Sequence, residues 1–138
     1  MILPLLVSTI FTLLALLHVY WALGGKAGLA GAIPTLEGKP AFQPGRIATL
    51  AVAAALCACA LLVAALAGWW NPPVSLGILT KIGYALAALF LLRAIGDFNH
   101  VGLFKSKRDS RFAKLDTLYY SPLCLGIALG VWVLARAG

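Results

Sequence analysis

Acidic side chains are scarce in this sequence. Asp and Glu together number 4 among 138 residues, and charged residues of all kinds make up 11%, where a soluble domain carries about a quarter. Histidine occurs twice and methionine once. The three cysteines, Cys57, Cys59 and Cys124, all lie inside apolar runs without a C-x-x-C. This excludes a disulfide framework and a thiol-oxidase motif, and leaves the cysteines as small packing residues. No G-x-S-x-G, H-E-x-x-H or paired acidic motif occurs, so hydrolase chemistry of those kinds is excluded. Gly24–Gly25 and Gly45 follow no strand and form no phosphate loop.

Apolar side chains fill the space that charge leaves, at 62% of residues and a mean hydropathy of +0.98. A soluble core of this size has no room to hide so much apolar surface, so lipid must cover much of it. Four membrane spans use about 80 residues, which leaves no space for a separate soluble catalytic domain. We read residues 1–138 as a single transmembrane domain with helices at about 2–23, 47–68, 76–98 and 118–135. The fold class expected is all-α, an antiparallel up-down four-helix membrane bundle. The first apolar run has no basic residue before Lys26, so it reads as a retained helix rather than a signal peptide. Small-residue rows, Ala60/Ala64/Gly68 and Gly83/Ala87, point to close packing within the chain. Ser121–Pro122 reads as a helix cap followed by proline at the first helical position. The alternative is that Asp116–Tyr120 adds a turn and the proline kinks the helix.

The net charge of +7 is a matter of topology and not of nucleic-acid binding. Lys26, Lys39, Arg46, Lys105, Lys107, Arg108, Arg111 and Lys114 fall in loops 24–46 and 99–117, while only Lys81 and Arg136 flank the other side. The positive-inside rule then places both loops in the cytoplasm and both termini outside, in a bacterial inner membrane. Anionic lipid head groups are the expected counterions of the basic run 105–114.

Residues that are costly in lipid collect at the loop-facing helix ends: His18, Tyr20 and Trp21; Arg93, Asp97 and His100; Asp116, Tyr119, Tyr120 and Ser121. Arg93, Gly96, Asp97 and His100 are spaced to share one helical face. Arg93 would lie about 6 Å inside the hydrocarbon edge, where a lone cation costs on the order of 2 kcal/mol or more. Asp97 is its expected partner, either as a structural clasp or as part of a ligand site. The candidate ligand-binding set is His18, Trp21, Arg93, Asp97, Asp116 and Ser121. His18 alternatively belongs to the aromatic belt. Pairing His18 with His100 as a metal or haem site has no supporting spacing, and no cofactor or catalytic residue is specified.

The segments HVYWALGG, AIPTLEGKPAFQPG, LLRAIGDFNHVGLFK and FAKLDTLYYSPLCL resemble, in order and spacing, the bacterial domain-of-unknown-function 3995 family. The resemblance spans nearly the whole chain. It implies a small four-helix membrane protein whose motifs fall at the cytoplasmic helix ends. The matching positions are His18, Trp21, Gly24, Pro34, Arg93, Gly96, Asp97, Phe98, Asp116, Ser121 and Pro122, whereas Asn99–His100 departs from the pattern.

Three functions compete. The first is binding, with or without transformation, of a lipid-like or small amphiphilic ligand in a polar pocket at the cytoplasmic end. The second is an accessory subunit packed against a membrane-protein partner. The third is a small dimeric proton-coupled transporter, for which an acid near the bilayer midplane is missing.

Overall fold

The structure, a computed structural model, describes residues 1–96 and 101–138. Asp97 and His100, both singled out above, lie outside the described residues. The order of elements is α1 (Ile2–Ala22), a single helical turn α2 (Leu29–Ala32), a two-stranded hairpin β1 (Thr35–Leu36) and β2 (Lys39–Pro40), α3 (Arg46–Leu66), α4 (Leu76–Ile95), α5 (Arg111–Leu115), a π-helical turn (Asp116–Tyr120) and α6 (Ser121–Ala137). The last three run on without a break, so among the described residues four helices are long and apolar enough to cross a membrane. The chain is an all-α, multi-pass membrane protein.

Connectivity puts the α2–hairpin loop and the α4–α5 loop at the same end of the bundle. Helix α1 packs along α3, and α4 along α6. Between these pairs lies a core of Val7, Phe11, Val63, Ile127, Val131 and Ala135, with the Phe11 and Phe90 rings 5.6 Å apart and tilted by 60°. Leu5, Leu13, Leu16, Leu61, Leu89 and Leu92 point outward and exposed, as lipid-facing side chains do. Small residues allow the close contacts. A Cβ at Gly130 would meet Val7 at 2.9 Å, and one at Gly83 would meet the Ala135 Cβ at 3.0 Å. Gly83 and Ala87 are buried in that packing.

Two boundaries depart from the sequence expectation. Helix α4 stops at Ile95 rather than 98, because Gly96 takes φ 81° and ψ −164°. The fourth span starts at Arg111, seven residues before the expected 118. Its cap is Ser110, whose Oγ accepts from the Ala113 amide at 3.0 Å, and not Ser121. Ser121–Pro122 sits in mid-helix. The Ser121 amide bonds back to the Asp116 carbonyl five residues earlier. This wider turn relieves the clash that a proline ring makes with the carbonyl four residues before it.

Candidate functional site

Asp116 is the centre of a buried polar cluster at the loop-bearing end. Its carboxylate is fully buried and, among the described residues, accepts from four donors. Oδ1 accepts from Arg93 Nη2 at 2.8 Å and from the Ser121 hydroxyl at 3.0 Å. Oδ2 accepts from the Gly102 amide at 2.7 Å and from Lys105 Nζ at 3.0 Å. Four donors occupy the lone-pair directions of an ionised carboxylate. Lys105 is buried as well, and its ammonium also donates to the Gly102 carbonyl at 2.8 Å and to the Thr117 hydroxyl. A charge pair out of water is tolerable only when hydrogen-bonded to this degree.

The local backbone explains why these groups meet. In an α-helix, positions five apart point about 140° away from each other. The π-turn spanning Asp116–Tyr120 brings Ser121 over Asp116 instead. Gly102 reaches the carboxylate because the loop folds back on the end of α4, with the Leu103 amide donating to the Ala94 carbonyl at 2.8 Å. Gly96 and Gly102 meet there without side chains. A Cβ on Gly96 would lie 1.8 Å from the Val101 carbonyl oxygen, and one on Gly102 would lie 2.2 Å from that of Ile95.

His18 and Trp21 form a second group. Their rings stack edge to face with centroids 5.0 Å apart. His18 Nδ1 lies 2.7 Å from the Leu14 carbonyl. A carbonyl only accepts, so Nδ1 carries a proton, and in the neutral ring Nε2 is an acceptor. Trp21 Nε1–H donates to the Ala27 carbonyl at 2.8 Å, which ties the start of the first loop to α1. Farther along the same loop, the Tyr120 hydroxyl donates to the Gly31 carbonyl at 2.9 Å. Among the described residues no hydrogen bond or ion pair joins His18 or Trp21 to the Asp116 cluster.

Of the six candidate residues, the structure thus unites Arg93, Asp116 and Ser121, places His18 and Trp21 together elsewhere, and does not describe Asp97. The expected partner of Arg93 was Asp97; the described partner is Asp116, 23 positions on. Lys105 was expected among the lipid-facing residues of the basic loop, and is instead turned inward, where its ammonium finds the Asp116 carboxylate, the Gly102 carbonyl and the Thr117 hydroxyl as acceptors. Gly102 and Lys105 are the members that sequence reasoning missed. The only trace of them is the G-x-x-x-x-x-G-x-x-K spacing of Gly96, Gly102 and Lys105. Among the described residues no three of His, Cys, Asp and Glu gather as a metal centre would require.

Residues 11–131 match the family model described as "Protein of unknown function (DUF3995)". No curated protein and no solved structure matches the chain.

Proposed function

The chain belongs to the DUF3995 family of proteins of unknown function, and from that premise we propose that it is a membrane-embedded binding protein for a small amphiphile. The ligand's polar end would carry an acceptor such as a phosphate or carboxylate. The observation that supports this reading is the divided state of Arg93. One guanidinium nitrogen, Nη2, is held by Asp116, while Nη1 is buried with no hydrogen-bond partner among the described residues. The side chain as a whole remains 33% exposed, so the group lies just beneath the surface. A buried charged donor without an acceptor costs about 1–3 kcal/mol, which a bound acceptor would recover. Asp116 and Ser121 hold the guanidinium in place. At the same end of the bundle, His18 Nε2 would accept from a hydroxyl group of such a ligand, and Trp21, whose N–H is held by Ala27, would offer its ring. The excess of Lys and Arg in the loops supports a cytoplasmic orientation of that side, in a bacterial inner membrane.

Arg93→Lys tests this reading, since it keeps a cation beside Asp116 and removes the second N–H group. Native mass spectrometry of protein extracted with its own lipids is expected to show a discrete added mass on the natural chain. That mass should be absent from Arg93→Lys at an unchanged unfolding temperature. Retention of the mass by the variant overturns the reading.

A second reading, an accessory subunit, is favoured by the outward face of α3. Ala51, Ala54, Ala55 and Ala58 are exposed there, and small residues let a partner helix approach closely in lipid. Co-purification of another membrane protein in stoichiometric amount supports it, and a chain recovered without one argues against it.

A further inference from the structure

The two loops at the polar end border a half-open hollow of about 500 Å³ whose lining includes Glu37, Lys107, Asp109, Ser110 and Phe112. It is separate from the Asp116 cluster, and its chemistry differs. The ion pairs among the described residues are those of Arg93 and Lys105 with Asp116. Glu37, Lys107 and Asp109 therefore line one hollow with their charges uncommitted to one another. Both walls are fixed in place. Ser110 caps the fourth span, and Phe112 is buried with its ring 5.9 Å from that of Tyr120. Tyr120 in turn holds the first loop through the Gly31 carbonyl, where Gly31 lies so close that a Cβ would meet Leu115 at 2.8 Å.

Glu37 sits at the tip of the β1–β2 hairpin in a left-handed conformation, φ 51°, followed by Gly38 at φ 78°. A two-residue turn with positive φ at both positions favours Asn, Asp or Gly at the first. A glutamate there breaks the local preference and sets a carboxylate on the cavity wall. Sites that break a local rule are where function is expected.

A simple anion entering this hollow would meet two carboxylates, and a simple cation would meet an ammonium. A molecule that carries both charges satisfies all three. We propose that the cavity binds a phosphate ester bearing a primary ammonium, an amino-alcohol phosphate, with the phosphate on Lys107 and the ammonium on Glu37 and Asp109. Ser110 adds a donor, since its oxygen accepts from Ala113 while its hydroxyl hydrogen has no acceptor among the described residues. A primary ammonium presents N–H donors to the carboxylates, and a quaternary one has none. The cavity lies at the bundle end where the spans leave the bilayer, so both a lipid head group and a free ester have access to it.

The test is native mass spectrometry of the full chain in nonionic detergent, with phosphatidylethanolamine, phosphatidylcholine and phosphatidylglycerol of identical acyl chains. Occupancy by phosphatidylethanolamine is expected to exceed the other two by about fivefold or more. Lys107→Gln and the pair Glu37→Gln with Asp109→Asn should each abolish that preference. These side chains are exposed, so unfolding temperatures should stay unchanged. Displacement of the lipid by millimolar ethanolamine phosphate supports the proposal with the free ester as ligand; resistance to displacement supports it with the lipid. Equal occupancy by the three lipids, or a preference that survives both sets of substitutions, overturns it. Arg93→Lys should leave the preference intact, which separates this site from the amphiphile reading above.

Discussion

At the end of the bundle that carries the long loops, position is set by directional polar bonds. Four donors converge on Asp116, and Trp21 and Tyr120 pin the first loop by single hydrogen bonds to backbone carbonyls. The opposite end is held by short-range backbone geometry and small-residue packing. Helix α3 ends with the Trp69 amide reaching the Ala64 carbonyl at 2.9 Å around Gly68 at φ 73°. Pro72 and Pro73 then stiffen a short link into α4, and Gly83 lies against Ala135. The buried cluster at one end depends on the chemical identity of its partners, whereas small-residue packing at the other depends on volume. The comparison shows that this chain places nearly all its rare acidic and cationic specificity at a single membrane face.

The sharpest way to break the comparison is Asp116→Asn. It leaves two cations facing a neutral group in a buried site, and the expected loss is about 3–5 kcal/mol. Thermal unfolding in detergent would show it. A variant as stable as the natural chain would mean that the cluster does not organise this end. Next in size is Gly96→Ala, or Gly102→Ala, where the new methyl group strikes a backbone carbonyl that has nowhere to go. Each should cost about 1–3 kcal/mol. Gly68→Ala is its counterpart at the other end, because the same positive φ opens there onto empty space. Only the left-handed strain of about 1–2 kcal/mol is expected. Comparing denaturant midpoints of the two alanine variants tests the contrast, and equal losses would erase it. The smallest effect belongs to Trp21→Phe and Tyr120→Phe. Each removes one hydrogen bond worth about 0.5–1.5 kcal/mol, and each should speed proteolysis within residues 24–45 more than it lowers global stability.

The four spans were legible because lipid imposes length and hydropathy on them, and Phe11, Val63 and Val131 need no partner beyond a neighbouring apolar side chain. The polar end was legible as a place. Arg93, Asp116 and Ser121 were all named from their cost in a membrane. Their pairing was not legible, since α-helical spacing offers Asp97 as the partner of Arg93 and keeps Asp116 and Ser121 on different faces. Lys105 was hidden for a related reason. In a run such as KSKRDSRFAK every cation looks equally topogenic, and only the backbone turn at Gly102 selects the first lysine for burial. The cap was missed because Ser121–Pro122 is a stronger local signal than Ser110, and a π-turn erases that signal without leaving a mark in composition.

That turn also constrains how the chain can change in length. A π-turn amounts to one residue inserted into an α-helix, so removing any one residue from 116–120 would restore ordinary helix and keep the span long enough for the bilayer. Because five residues there cover the turn that four cover in an α-helix, the faces on either side of the cut would keep nearly the same direction. Phe112 and Leu115 would stay turned toward the first loop. The cost would fall on Pro122, whose ring would again press on the carbonyl four residues before it. A one-residue deletion in the ordinary α-helical part of the span would act as a screw, turning one end of the molecule against the other by about 100°; at the wide turn the helix can lose a residue without turning.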